Sequence, residues 1–313
     1  MVIDRYGPPE VFRENSVRII PLKEQDVLIR NCATSVNPVD WKVREGYLKE
    51  RLRLQFPAIL GWDSAGIIEK TGDKVTHFKP GDKVFSRPDI ARPGTYAEYV
   101  VVDESLVAFK PEPLTFLEAA SVPLAGLTAW EALKGRSSIG AGQKVLIHGG
   151  AGGVGGYAIQ LAKAAGCYVI TTARALNEEY VRSLGADEVI DYESQDFSSR
   201  VHDCDIVLDT VGGKVQDKSF GVLKQGGILV SITEMPDQNK AKNHGVEATW
   251  FFLEPDGQKL ASLGHLFAEG KIRPTVEHIF SLANIAEAHR MSQQGHVRGK
   301  IGIVIDPKEA YQK

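Results

Sequence analysis

Residues 144–166, KVLIHGGAGGVGGYAIQLAKAAG, restrict the fold more than any other stretch of this chain. From Gly149 to Gly155 only glycine, alanine and one valine occur. An apolar, β-prone run enters this bare segment, and a run with helical spacing leaves it. Gly150-Ala151-Gly152-Gly153-Val154-Gly155 therefore places G-x-G-x-x-G at a strand-to-helix turn. In such a turn the first glycine makes the bend and the second lets a pyrophosphate approach the backbone. The third lets the helix pack on the strand. The helix N-terminus then offers free N–H groups to phosphate oxygens. Taken alone, small residues at a turn also suit plain chain reversal, so the sequence on either side has to decide.

After the loop, strand-like and helix-like segments alternate: YVITTA, EEYVRSLG, EVIDY, DIVLDTV, SFGVLKQGG and ILVSI. SFGVLKQGG reads here as a helix. This rhythm predicts a parallel sheet with crossover helices, and it makes the loop a dinucleotide cradle. Ahead of it, residues 1–115 carry short β-rich runs (VLIRNCATSV, SAGIIEKTG, KVFS, EYVVVD) cut by Gly-Asp and Pro-Gly turns. DGQKLASLGHLFAEGKI and ANIAEAHRMSQQG read as late amphipathic helices, and GKIGIVID as a last strand that returns to the first domain. The expected class is α/β, with a cofactor domain over 116–253 and a β-rich domain over 1–115 completed by 254–313.

The chain has 313 residues, more than one core usually holds, with 25% charged residues and a net charge of -3. That balance leaves no basic stripe for nucleic acid. No apolar run reaches the roughly 20 residues of a membrane-spanning helix. Cys32, Cys167 and Cys204 are odd in number and scattered, which suits a reducing compartment rather than a disulfide framework. The N-terminal MVIDRYGPPEVF mixes both charges with proline, unlike a secretory signal. A cytoplasmic protein is expected.

Sites for NAD carry an acidic residue about 20 residues beyond the loop, at the end of the second strand. Here YVITTA is followed by Arg174, and no carboxylate stands at the strand end. A guanidinium there suits the 2′-phosphate of NADPH. The competing reading is a solvated arginine, with Glu178 or Glu179 reaching the ribose. Tyr192, after EVID, is either adenosine-pocket wall or rim. His148 reads as core-edge rather than a ligand, since the eight histidines form no paired motif.

Several motifs together go further than the loop. NPVDWKVREGY (37–47), FPAILGWDSAG (56–66), GDKVF (81–85), GTYAEYV (94–100), AASVPLAGLTAWEAL (119–133), GGAGGVG (149–155), LGADEVIDY (184–192) and GHVRGKIGIVI (295–305) run through nearly the whole chain. In them the chain resembles the medium-chain dehydrogenase/reductase superfamily, in its zinc-independent quinone oxidoreductase (zeta-crystallin-like) branch. The resemblance implies a GroES-like domain built from both chain ends, a Rossmann domain and NADP(H). It also implies reduction of quinones or α,β-unsaturated carbonyls by hydride transfer. Zinc relatives carry a Cys near the start of the segment read here as NPVDWK, and Gly-His-Glu where this chain has Gly61-Trp62-Asp63. With neither present, and no Cys-x₂-Cys cluster, no metal is expected.

The resemblance also assigns roles. Asn37 and Thr128 would line the nicotinamide and its ribose, and Tyr47 would face the acceptor. Phe251 and Phe252, in TWFFLEPDG, would wall the nicotinamide, and Gly299 and Lys300 would lie near the cofactor. Each residue has a plainer reading. Asn37 precedes Pro38 and suits a turn, Asp40 a local cap, and Tyr47 a surface cover. Phe251 and Phe252 suit a core, and Lys300 a solvated strand start. Cys32 reads as an inert small hydrophobe. A homodimer is expected, joined through GGILVSI as the edge strand of the Rossmann sheet. Two other functions compete: a catalytically weak NADPH-binding structural or RNA-associating protein, and an enoyl-thioester reductase. The first lacks a basic surface, and the second lacks a basic patch for a carrier's phosphates.

Overall fold

The computed structural model describes residues 1–313. Two short strands, β1 (Val2–Ile3) and β2 (Phe12–Arg13), pair antiparallel ahead of the long β3 (Asp26–Val36). Helix α1 (Pro38–Arg44) follows at once, because Pro38 supplies a helical φ at its first position while Asn37 stays extended. Strands β4 (Ser64–Thr71), β5 (Lys83–Ser86), β6 (Tyr99–Asp103) and β7 (Val107–Phe109) come next. Helix α2 (Phe116–Ala120) starts on a capping box: the Thr115 hydroxyl accepts from the Glu118 N–H, and the Glu118 carboxylate accepts from the Thr115 N–H. Helix α3 (Pro123–Trp130) runs on into a turn of π-helix over Glu131–Arg136.

The second unit alternates strand and helix: β8 (Lys144–Ile147), α4 (Gly153–Ala164), β9 (Tyr168–Ala173), α5 (Glu178–Ser183), β10 (Glu188–Asp191), β11 (Cys204–Asp209), α6 (Gly213–Ser219), β12 (Leu223–Ser231), α7 (Gln238–His244) and β13 (Glu247–Trp250). All pair parallel, in the order β10-β9-β8-β11-β12-β13. The order reverses direction between β8 and β11, and in a doubly wound sheet the ligand crevice opens at that point. Leu146, Ile170, Val207, Phe220 and Leu229 fill one core of this unit.

The chain then returns as α8 (Gly257–Ala268), β14 (Val276–Ser281), α9 (Ile285–Gln294) and β15 (Lys300–Val304). Strand β15 joins the first sheet antiparallel to β3, with Val36 opposite Ile301, which sets Lys300 beside Asn37. Strand β6 pairs with the other half of β3, over Asp26–Arg30. Trp62, Leu60, Val36, Ile301 and Ile303 share one core with Ile285 and Ala288 of α9.

The α/β class and the doubly wound parallel sheet are as expected. Three details differ from the expectations. The compact units are Met1–Leu127 with Glu254–Lys313, and Thr128–Leu253, so the first boundary falls after 127 rather than 115. The reason is that α2 packs on β3, β4 and β15. SFGVLKQGG is not a helix: the helix is the preceding, more polar GKVQDKS, and β12 begins at Leu223. Strand β12 also runs between β11 and β13, so GGILVSI is not an edge, and any pairing of copies through an edge falls to β13 or β10.

Candidate active site and cofactor cradle

The second unit holds the cradle. Gly149 has φ +66°, a left-handed turn that glycine adopts without a Cβ penalty. A Cβ on Gly150 would stand 2.0 Å from the Thr171 hydroxyl on β9, and one on Gly155 would stand 2.3 Å from the Gly149 carbonyl. The turn is thus pressed onto the sheet and α4 onto the turn. A Cβ on Gly152, the N-cap, would meet only the Gly149 carbonyl at 3.4 Å. No side chain caps α4, which leaves the N–H groups of its first turn without a side-chain acceptor. Ala151, Gly153 and Val154 complete this turn. These features fit a pyrophosphate.

Around the cradle the strand ends are braced. Asp209 accepts through Oδ1 from the Val211 and Gly212 N–H groups at 2.9 and 2.8 Å. Through Oδ2 it accepts from Gln216 Nε2 at 3.0 Å and Ser231 Oγ at 2.9 Å. His148 is fully buried, with Nε2 2.9 Å from Ser219 Oγ, and burial lowers its pKa to about 4. It is a neutral core imidazole.

Arg174, expected to have no carboxylate beside it, is paired through Nε with Glu193 Oε1 at 2.9 Å. The loop after β10 bends Glu193 back to the end of β9, which the linear sequence hides. Tyr192, from the same loop, is half exposed. Phe251 is buried, with the Arg136 guanidinium 5.5 Å from its ring centre, the environment of a core aromatic. Phe252 lies next to it at intermediate exposure, and Thr128 is buried on α3.

The first unit holds a buried polar cluster. Asn37 Nδ2 donates to Asp63 Oδ2 at 2.6 Å, and Ser35 Oγ donates to the same oxygen. Asp63 Oδ1 accepts from the Leu124 N–H at 2.7 Å. Lys300 is 4% exposed, not solvated. Its Nζ donates to Asn37 Oδ1, to the Val36 carbonyl at 3.2 Å and to Asp63 Oδ2 at 3.5 Å. Burial lowers the Lys300 pKa, and Asp63 and Asp40 oppose that shift. Gly299 precedes it with φ +68° and packs against Thr275, a second place that only glycine fits.

Asp40 closes a capping box on α1, its Oδ2 accepting from the Asn37 N–H at 2.7 Å. The Tyr96 hydroxyl donates to the same oxygen at 2.8 Å. Tyr96 in turn lies 3.0 Å from His289 Nε2, whose Nδ1 is 3.0 Å from Arg44 Nη1. Since Arg44 only donates, His289 is the Nε2–H tautomer and donates to Tyr96. Tyr47 lies outside this cluster, 70% exposed, its ring edge-on to Trp41. Cys32 is buried and its thiol is pushed up to about 12, so it is inert.

A family model described as the alcohol dehydrogenase GroES-like domain matches residues 23–112, and one described as zinc-binding dehydrogenase matches 184–303. The zebrafish (Danio rerio) mitochondrial NAD(P)H oxidoreductase RTN4IP1 is 34% identical over 98% of this chain and 92% of its own. The chain belongs to the medium-chain dehydrogenase/reductase superfamily. Within this superfamily it is quinone oxidoreductase-like. A chloroplastic NADPH-dependent alkenal/one oxidoreductase of Arabidopsis thaliana is 35% identical over 96% of this chain and 78% of its own. The quinone oxidoreductase structure from Coxiella burnetii superposes with a TM-score of 0.89 at 36% identity, covering 97% and 98% of the two chains. The protein is therefore an oxidoreductase of the nicotinamide-dependent kind, and the cradle described above fits that cofactor.

The zinc of some superfamily members does not fit. No three His, Cys, Asp or Glu side chains converge to hold an ion. Asp63, the one carboxylate in the Gly61-Trp62-Asp63 segment, has its oxygens taken by four donors, one of them an ammonium. In the sequence Asp63 marks only a missing ligand, and nothing in the linear order signals it as the hub of this cluster or singles out Ser35, Tyr96 and His289.

Proposed function

We propose that the protein uses NADPH to reduce quinones or α,β-unsaturated carbonyls. The saturated Asp63 carries this reading: the cluster offers no seat for Zn²⁺ to bind and activate an alcohol. An acceptor that is electrophilic in itself needs less help. Bound NADPH supplies the hydride. What the chain contributes is a fixed cradle, oriented donors and dry surroundings. Relatives named for NADPH, alkenals and quinones support the same choice. All three cysteines are buried free thiols, which suits the cytosol and organelle interiors alike, and no helix is long and apolar enough to cross a membrane.

The test is NADPH oxidation against a panel of quinones and enones, with simple alcohols plus NADP⁺ as the counter-assay. Turnover of at least one quinone or enone, undiminished by a zinc chelator, is expected. Tight NADPH binding with no turnover would favour the structural binder instead. Chelator-sensitive alcohol oxidation would overturn the assignment.

The choice of NADPH over NADH rests on Arg174. A charge-assisted hydrogen bond to the 2′-phosphate contributes about 1.5–3 kcal/mol. Arg174 must exchange Glu193 for the phosphate, so the lower end applies, and Arg174→Ala is expected to weaken NADPH about 10-fold. NADH affinity should hardly move. Glu193→Gln, which removes a competitor and a repelling charge, should tighten NADPH. Fluorescence titration of both cofactors checks this, and equal losses for NADPH and NADH in Arg174→Ala would make it a surface arginine.

A further inference from the structure

We propose that Lys300 and Asp63 together lock the Asn37 carboxamide in one orientation, so that its second Nδ2–H serves as the hydrogen-bond donor to the acceptor's carbonyl oxygen. The proposal rests on the reading above that the acceptor is a quinone or enone.

An asparagine amide is nearly isosteric with its flipped form, and its neighbours decide which end is oxygen. Here two groups of opposite character decide it the same way. An ammonium has no acceptor, so the atom touching Lys300 Nζ is Oδ1. A carboxylate has no donor, so the atom 2.6 Å from Asp63 Oδ2 is Nδ2. A flip would set like against like at both ends, in a site where Asn37 is 2% exposed, Lys300 4% and Asp63 fully buried.

The lock is also saturated. Lys300 spends its three N–H bonds on Asn37 Oδ1, the Val36 carbonyl and Asp63. Asp63 accepts from Ser35, Asn37, Lys300 and the Leu124 N–H. One polar hydrogen is left over: Asn37 Nδ2 carries two, and a single acceptor is provided for them. A buried donor without an acceptor is costly unless a ligand completes it.

Reduction of an enone or quinone creates a use for such a donor. The acceptor takes hydride from NADPH at carbon, a C–H bond forms as the C=C π bond breaks, and the electron pair moves onto the carbonyl oxygen. That oxygen later takes a proton from water, and NADP⁺ remains. A donor fixed beforehand stabilises the charged oxygen more than the neutral carbonyl, and this lowers the barrier rather than tightening binding. Lys300 and Asp63 are then positioning residues that act through Asn37.

Lys300→Met removes the donor that fixes Oδ1, and kcat is expected to fall about 10- to 100-fold with NADPH affinity unchanged. Lys300→Gln keeps an N–H there without the charge, and should bring kcat back to within about fivefold of wild type. If Lys300→Met does not fold with Asp63 uncompensated, the Asp63→Asn/Lys300→Met pair removes both charges and gives the same readout. A folded Lys300→Met protein with wild-type kcat would overturn the lock, as would equal kcat losses in the Met and Gln variants. Absence of turnover in the wild type would instead remove the functional reading beneath it.

Discussion

Gly155→Ala is expected to abolish measurable cofactor binding and to lower the melting temperature. Its Cβ would lie 2.3 Å from the Gly149 carbonyl oxygen and 2.7 Å from the Gly150 Cα, both backbone atoms that cannot swing aside. Either α4 moves off the turn or the turn moves off β9, where Gly150 is already pressed to the Thr171 hydroxyl. Overpacking of this kind costs about 1–3 kcal/mol, and more when backbone has to shift. Any such shift carries away the α4 N–H groups that are to meet the pyrophosphate. Gly152→Ala is the control. Its φ of -78° suits alanine and its Cβ would make only ordinary contact. That variant should fold like the wild type yet bind NADPH at least about 10-fold more weakly, because its methyl would sit where a phosphate held by this turn would approach. Thermal melts beside fluorescence titrations separate the two effects. Wild-type affinity in Gly155→Ala would mean that the cofactor does not use this turn.

The strand, glycine turn and helix of the cradle were legible in the sequence because they occupy one continuous stretch, residues 144–164. Local spacing suffices there: the strand, the glycines and the helix follow one another, and their steric demands can be named before any coordinates exist. The misread segment shows the limit. SFGVLKQGG has a short apolar run without clear period, and runs of that length do not separate helix from strand. The true helix, GKVQDKS, has too few apolar residues to announce itself. The first-unit cluster was hidden for a different reason. Asp63 meets Ser35 and Asn37 because β4 pairs antiparallel with β3, and Lys300 joins them because β15 pairs antiparallel with β3 in a register that sets residue 300 against 37. No spacing along the chain encodes that pairing. The missing zinc ligands at Trp62 and Asp63 were visible as an absence. Only the hydrogen bonds show that the carboxylate had been given four other partners. Arg174 illustrates the same point from the second unit, since Glu193 reaches it across two strand ends.

Asp40→Asn is expected to change how stability depends on pH. Burial raises the Asp40 carboxyl to about 7, against the donors Asn37 N–H and Tyr96 O–H, with Asp63 adding to the rise and Lys300 opposing it. A carboxyl raised in the folded state contributes stability fully below its unfolded pKa, near 3.8, and that contribution is lost as pH rises through about 7. The shift corresponds to a few kcal/mol, on the order of 1.4 per pKa unit. His289, held neutral by burial with its pKa well below the usual value, contributes the opposite slope below about pH 6.5, so the wild-type curve mixes both. Subtracting the two proteins isolates Asp40, since asparagine still accepts from Asn37 and Tyr96 through its oxygen. Relative to Asp40→Asn, the wild type should lose stability steadily between about pH 4 and pH 7 and level off above. Urea unfolding across that range measures the difference. Parallel curves for the two proteins would mean that Asp40 ionises at an ordinary pKa inside the fold, and that its unpartnered Oδ1 is hydrated rather than dry.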